Sequence, residues 1–531
     1  MSVITPQTNI KLLKVPITLD EKNQLTFSNA TAQYNYFNSL NKLEYEKCTY
    51  QRKDNYMAIP EDADTLQNYN YCMYQNAQYG NKWFYAFITD ITYQGNEVSY
   101  VYLKLDAFQT WQFDLTYKRS FIEREHTNDD TVGANTIPEN LECGEYYANN
   151  RSAYDIQGSY NINVIVMGST ITPTLDSGGA LIGTNNGGGV YGGIKTGFKY
   201  YTYRIDGPKI TQVIQAFENA GKSDAIVAMF MLPASFITTD TTLDLDGYTV
   251  PDDNIGRQYT WTISGISTLD GYTPTNKKLL VYPYRYLYMT NNNGGNAIYH
   301  YEKFTNPNSM TFRVTEVISP SGSCNVYPTE YNGIYYNHSE MLAGAKFPIC
   351  GYQNDVYKNW LTQNALNLSS KLVAGGAMMI GGVVAAATGL GIVAGGATAL
   401  GGVAQVFNTL QSINQQKNFT PPQAEGNVTT GDVNFARGLN TFVCYNMSIR
   451  SEYARIIDNF FSKFGYKTNR VKVPNITGRT NWNYVKTIDA NIVGNIPQKD
   501  LQEIKNMFDK GITLWHNAST FLDYSQSNTI V

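Results

Sequence analysis

A chain of 531 residues carrying 44 acidic and 40 basic side chains has room for about two to four domains at ~100–200 residues each. Its net charge of −4 excludes a high-affinity nucleic-acid binder, because such proteins display a cationic face. Its 42 tyrosines, set against only 16% charged residues, describe an extended β-protein with broad polar-aromatic contact surfaces, since sheets and interfaces both favour tyrosine.

The N-terminus, Met1 to Pro6, lacks a basic start followed by an apolar core. No secretory signal is therefore expected, and assembly in the cytosol is. Six cysteines (Cys48, Cys72, Cys143, Cys324, Cys350, Cys444) form no C-x-x-C pair, which disfavours a disulfide framework or a zinc knuckle and points to buried reduced thiols.

From Trp83 the pattern predicts a long β-hairpin: an aromatic run to Ile88, a turn at Gln94-Gly95-Asn96-Glu97, and a return strand from Val98 to Leu105. Residues 106–114 close it. Residues 120–126 (SFIEREH) then mix charge with apolar positions and read as a ledge for a partner or an interdomain brace. From about Asn150 to Asp355, short β-rich runs such as 278–288 alternate with Gly/Asn/Thr/Asp loops, giving mostly β-structure with little helix. Gly187-Gly188-Gly189 reads as a flexible turn, because neither a phosphate-loop motif nor a strand-to-helix pattern surrounds it.

Between Lys371 and Lys417 no charged residue occurs. Within this interval VAGGA at 373–377 followed by GGV at 381–383 recurs as VAGGA at 393–397 and GGV at 401–403, a twenty-residue shift that suggests a hairpin of two like halves. Residues 372–404 contain ten glycines (Gly375, Gly376, Gly381, Gly382, Gly389, Gly391, Gly395, Gly396, Gly401, Gly402). Their large side chains are Leu372, Met378, Met379, Ile380, Leu390, Ile392 and Leu400, with Val373, Val383, Val384, Val393 and Val403 between them. Each glycine costs about 1 kcal/mol against alanine in a water-exposed helix. In lipid the small-xxx-small spacings Ala377/Gly381 and Ala397/Gly401 instead let helices approach closely. The segment is expected to be mobile or sheltered in water and helical in a membrane. A buried core hairpin and a constitutive anchor are the alternatives; the first lacks bulky residues to fill volume, and the second lacks a Lys/Arg cluster to orient it.

Beyond it, Tyr453, Ile456, Ile457, Phe460, Phe461 and Phe464 recur at helical spacing up to Gly465 and predict one apolar stripe. Trp482, Tyr484, Ile488, Ala490 and Ile492 mostly alternate as in a strand. Pro497 opens a second helix with Leu501, Ile504, Met507 and Phe508 inward, stopped by Gly511.

Enzyme chemistry finds no footing. Four histidines (His126, His300, His338, His516) form no H-E-x-x-H; His126 reads as a surface or brace residue, and His338 and His516 as satisfied hydrogen-bonding groups. Cys143 and Cys350 carry no nucleophile signature. The pairs Glu123/Glu125 and Asp252/Asp253 read as solvated surface rather than a glycosidase pair. No catalytic residue, cofactor or metal site is expected.

An ordered set of segments, 86–91 (AFITDI), 105–114 (LDAFQTWQFD), 120–126, 137–141 (IPENL), 276–284 (NKKLLVYPY), 359–361 (NWL), 464–467 (FGYK), 481–484 (NWNY) and 511–516 (GITLWH), resembles the distal tail knob proteins of small short-tailed bacteriophages of the Picovirinae type that infect Gram-positive hosts. The resemblance implies a mainly β fold with barrel-like tail-tube domains and a C-terminal α+β portion. Along the chain it implies an N-terminal tube domain over 1–150, a middle knob region over 151–365, a membrane-active loop over 366–420 and an α+β module over 421–531 that completes the tube ring. It further implies a homo-oligomer, a hexamer, in the distal tail of the virion. Expected partners are other tail proteins (tube or connector, a tip-associated lysin), the host cytoplasmic membrane and double-stranded DNA in transit. The apolar loops would close the exit and, once released, penetrate the membrane for genome ejection. A tail-tip cell-wall hydrolase or a host-surface adhesin is the alternative.

Overall fold

The computed structural model describes residues 7–77, 80–156, 162–205, 207–253, 258–316, 318–320, 322–332, 341–344, 347 and 441–531. The apolar segment with all its candidate residues, Leu372 to Val403, lies outside the described residues, as do His338 and Cys350. The chain forms two units, each assembled from non-contiguous stretches: Met1–Gly144, Gly271–Pro283 and Arg450–Val531 in the first, Glu145–Asp270 and Tyr284–Ile449 in the second.

In the first unit, alternation builds a barrel. In Thr8–Leu13, Ile10 and Leu12 are buried while Asn9 faces out, the period of two that a pleated strand imposes. This strand pairs with Lys42–Gln51 on one side and Tyr71–Asn76 on the other. With Tyr56–Ile59, Val98–Leu105 and Trp83–Gly95 it closes a six-stranded barrel. Ile10, Leu12, Met57, Ile59, Cys72, Ala86, Val101 and Leu103 fill the interior, so this small barrel is a packed core and not a pore. The expected hairpin is present as Trp83–Gly95 and Val98–Leu105.

A second sheet in the same unit runs Asn23–Leu25, Ile512–Trp515, Trp482–Ile488, Ser120–Glu125, Tyr466–Lys472. Residues 120–125 are thus an interior strand of a five-stranded sheet. Helix Gln498–Lys510 buries Leu501, Ile504, Met507 and Phe508, as its spacing predicts. It ends at Gly511, whose φ of 96° and whose close approach to the Tyr484 hydroxyl make any side chain there strained.

Two amphipathic readings need correction. In helix Ser451–Phe464 the buried face is Ala454, Ile457, Asp458 and Phe461, and Ile456 is 66% exposed; the helix is turned so that the Asp458 carboxylate faces inward. In Trp482–Ile488 the inner positions after Trp482 are Asn483, Val485 and Thr487, and Ile488 lies 55% exposed. Asn483 accepts the Arg479 N–H and Thr487 donates to Asp509, so polar residues occupy the inner face with partners.

The second unit has three four-stranded sheets: Tyr146–Asp155, Thr441–Ile449, Arg285–Thr290, Asn296–Tyr299; Ile226–Pro233, Asn163–Ser169, Lys199–Arg204, Tyr248–Thr249; and Gln258–Ser264, Ser309–Glu316, Cys324–Pro328, Leu342–Ala343. Residues from all three share one hydrophobic core. The unit also holds a helix that the β-rich reading passed over, Lys209–Asn219, burying Ile210, Val213, Ala216 and Phe217. The run 278–288 is not one strand: Lys277–Leu280 is a 3₁₀ turn of the first unit and Arg285–Thr290 a strand of the second. Gly187 and Gly188 have φ of 70° and 81° and donate their N–H groups to Asn185 Oδ1 and Asn186 Oδ1 at 2.9 and 3.0 Å, in irregular backbone just before the strand Val190–Tyr191.

Candidate functional site

The apolar segment belongs to a stretch whose two flanks are visible in the second unit. On the outgoing side, Leu342–Ala343 pairs with Cys324–Pro328, and the Gly344 N–H donates to the Cys324 carbonyl at 2.7 Å. The Phe347 N–H donates to Gly322 O at 2.9 Å, and its ring meets Phe236 edge-on with centroids 5.0 Å apart. On the returning side, Thr441–Ile449 is an interior strand between Tyr146–Asp155 and Arg285–Thr290, with Phe442 opposite Tyr154. Leu342, Phe347, Phe442 and Cys444 all enter the same core. The flanks touch: a Cβ built on Gly344 would stand 3.3 Å from the Phe442 ring. The two flanks therefore meet at one place, as two stems fixed by packing and by sheet pairing.

Several of the segments carrying the family resemblance meet in the first unit around buried charge, whereas 359–361 lies outside the described residues. The Glu139 carboxylate, wholly buried, receives Lys278 and Arg124 together with the Lys467 N–H at 2.8 Å. Burial holds the Lys278 ammonium below its usual range, against the pull of Glu139. Arg124 also donates to Gly465 O at 2.8 Å and lies 4.8 Å from the Phe460 ring. Gly465, at φ 63°, presses so closely on the Glu125 carbonyl, 2.1 Å from a would-be Cβ, that only glycine fits. A second carboxylate, Asp458, accepts from Tyr272 Oη (2.7 Å), Thr275 N (2.7 Å), Asn276 N (2.9 Å) and Asn276 Nδ2 (2.7 Å). Trp482 and Trp515 pack with centroids 5.0 Å apart. Three of the resembling segments, 120–126, 137–141 and 464–467, thus meet around the stretch Gly271–Pro283 that carries a fourth. Sequence spacing gives no hint of the Glu139 and Asp458 clusters, because their partners are distant along the chain.

Among the described residues the candidate histidines and carboxylates are engaged in structural contacts or exposed. His126 is buried, not at the surface: Nδ1 accepts the Tyr484 N–H at 2.8 Å and Nε2 faces Ser462 O at 3.2 Å. Burial, then Arg479, push its pKa down to about 3, so it is a neutral brace. His516 is satisfied by Thr26 Oγ1 and Asn483 Oδ1 at 2.8 and 3.0 Å. Glu125 is buried and bonded to Asn475 N at 3.0 Å, contrary to a solvated pair, whereas Glu123 meets Lys486 at the surface. Asp252 and Asp253 are exposed. Cys48, Cys72, Cys143, Cys324 and Cys444 are free thiols, and burial pushes Cys48 up to about 11. Among the described residues no group of His, Cys, Asp and Glu is placed to hold a metal ion, and no helix is long and apolar enough to cross a membrane.

The chain is similar to known proteins over nearly its whole length. The tail knob protein gp9 of Bacillus phage PZA is 29% identical over 598 aligned positions, covering 98% of each chain, and that of Bacillus phage phi29 is 28% identical with the same coverage. The solved structure of the bacteriophage C1 tail knob protein gp12 shares the fold at a TM-score of 0.65 and 15% identity, over 99% of this chain and 100% of the other. The family described as the N-terminus of the caudoviral major tail protein matches residues 6–116. The family described as the C-terminal domain of the Bacillus phage phi29 tail knob protein gp9 matches residues 248–529, more than half of the chain, which therefore belongs to the phage tail knob protein family.

Proposed function

We propose that this structural tail protein forms the distal DNA conduit of the tail as a homo-hexameric ring, closed by its apolar loops until they are released to penetrate the host cytoplasmic membrane. Residues 1–150 and 421–531 supply the tube wall, 151–365 the knob, and 366–420 the membrane-active loop. The six-stranded barrel is filled by its own side chains, so a passage for DNA has to lie between copies around an axis. The acidic balance of the chain, −4, suits a conduit that does not grip phosphates. Tail proteins, including a tube or connector and a tip-associated lysin, are its neighbours in the virion.

The observation that carries the reading is the uncharged interval between Lys371 and Lys417 hung on two adjacent stems, Gly344 and Phe442. A segment leaving and re-entering at one place begins and ends on one side of a bilayer. It therefore wedges in or crosses an even number of times, and a crossing helix needs ~20 apolar residues. Copies gathered at an axis shelter one another's apolar surface from water, and lipid satisfies that surface better. Dye release from liposomes tests this. The full chain is expected to cause leakage, and a variant lacking residues 372–404 is expected to keep its fold, because both stems stay anchored, and to lose the leakage. Equal leakage from the deletion variant would overturn the reading.

A further inference from the structure

The two stems beside the apolar interval are held by unequal means. Leu342–Ala343 is a two-residue strand at the edge of its sheet, paired on one side with Cys324–Pro328. Leu342 stands opposite Val326 and Ala343 opposite Asn325, and the bonds from Gly344 N to Cys324 O and from Phe347 N to Gly322 O extend the contact. A further link, from Asn291 Nδ2 to Ala343 O at 2.8 Å, is exposed to solvent. Leu342 and Phe347 are the buried side chains of this stem, whereas Met341 and Ala343 are exposed.

The returning stem is bonded along both edges. Thr441–Ile449 pairs with Tyr146–Asp155 from Ile449 opposite Tyr146 to Thr441 opposite Asp155, and with Arg285–Thr290 from Ser448 opposite Arg285 to Val443 opposite Thr290. Phe442, Val443, Cys444, Ser448 and Ile449 are all buried. Asn446, buried too, accepts from Tyr301 Oη and donates Nδ2 to Ser264 O at 3.3 Å. Freeing this strand opens two ladders and strips a buried amide of its partners, whereas freeing the other opens one short ladder at an edge. Local opening follows that difference: it costs little at weakly held edges and approaches the whole stability at core strands. The stems touch where the Gly344 backbone passes the Phe442 ring, 3.3 Å from a would-be Cβ, an approach that parts without breaking a hydrogen bond.

We propose that release of the apolar segment is one-sided: the edge stem, Leu342–Ala343 with Gly344 and Phe347, peels from Cys324–Pro328 while Thr441–Ile449 stays seated in its sheet. The proposal rests on the membrane-active reading of residues 372–404 and adds to it the part of the fold that yields. In water, peeling exposes Leu342 and Phe347, which keeps the stem closed. A membrane shifts that balance only as far as it prefers the peeled state, and Met341, Leu342 and Phe347, all apolar, supply the preference once lipid is at hand.

Crosslinks test the assignment on the full-length chain. Asn325→Cys with Ala343→Cys joins the edge stem to its neighbour, and Arg151→Cys with Tyr445→Cys joins the returning strand to its own. Opposed residues of antiparallel strands lie about 4.5–5.5 Å apart, within disulfide reach, and none of the four side chains is buried. Each locked chain is compared with its own reduced form. The oxidised edge lock is expected to slow dye release from liposomes at least ~10-fold and reductant to restore it, while the returning lock stays within ~2-fold of wild type in either state. In the wild-type chain without a membrane, the Gly344 and Phe347 amides are expected to exchange hydrogen at least ~100-fold faster than those of Val443 and Tyr445. Dye release that is unchanged by the oxidised edge lock, or that stops under the returning lock, overturns one-sided release while the membrane reading stands, and so does exchange at Gly344 and Phe347 no faster than at Val443 and Tyr445. A wild-type chain that releases no dye overturns the membrane reading and the proposal together.

Discussion

Replacing Asp458 by alanine removes one carboxylate that receives four hydrogen bonds, at 2.7, 2.7, 2.9 and 2.7 Å. Asn276 is 6% exposed, so its backbone N–H loses an acceptor where water cannot replace it, while its Nδ2 keeps the Asp458 carbonyl and Ser462 Oγ at 3.1 and 2.8 Å. A buried donor left without a partner costs about 1–3 kcal/mol. Thr275 is exposed and Tyr272 half-buried, so water recovers most of their share. The sum is about 2–3 kcal/mol, and at ~2–4 °C per kcal/mol for a unit of this size melting of the first unit should fall by roughly 5–10 °C. Thermal unfolding of the full chain reads the total, and amide hydrogen exchange at Asn276 reads the local release of Gly271–Pro283. Asp458→Asn keeps one acceptor oxygen and turns a donor toward the other donors, so it should lose nearly as much. A cost under about 1 kcal/mol with Asn276 exchange unchanged would refute the reasoning, because the stretch would then be held by something other than this carboxylate.

Burial raises the pKa of Asp106 to about 7, opposed by the Gln109 N–H and Tyr71 hydroxyl that it accepts. A folded pKa above the unfolded value means that its stabilising contribution is complete below about pH 4 and is lost as pH rises through about 7. Asp106→Asn should accordingly flatten the urea-unfolding midpoint between pH 4 and 8, by up to ~4 kcal/mol at ~1.36 kcal/mol per unit; an undiminished slope would remove Asp106 as its source. Gly511→Ala should destabilise by about 1–3 kcal/mol in the same assay, because φ is 96° and the new methyl would meet the Tyr484 hydroxyl.

What the sequence disclosed follows the range of the interaction involved. Helix Gln498–Lys510 and the hairpin Trp83–Gly95 with Val98–Leu105 are written in local periodicity and turn chemistry, and both form as read. The interior place of Ser120–Glu125 is not written locally, because both of its neighbouring strands come from beyond residue 465. The inner face of Trp482–Ile488 misleads because Asn483 and Thr487 are buried with partners, a fact that hydropathy cannot carry. For the candidate site, the apolar segment is conspicuous by composition. Its stems are not, since Leu342, Phe347 and Phe442 are ordinary apolar residues until the fold brings them into one core.

The connectivity of the five-stranded sheet also sets a timetable for synthesis. The six barrel strands all lie between Thr8 and Leu105, so the barrel closes early on the ribosome. Strand Ser120–Glu125 pairs only with Tyr466–Lys472 and Trp482–Ile488, which appear more than 300 residues later. At ~5–20 residues per second that strand waits on the order of tens of seconds without a partner. A prematurely terminated chain never completes this sheet. The late strands therefore complete what the early one begins: only a chain extended through Trp482–Ile488 supplies both partners of Ser120–Glu125.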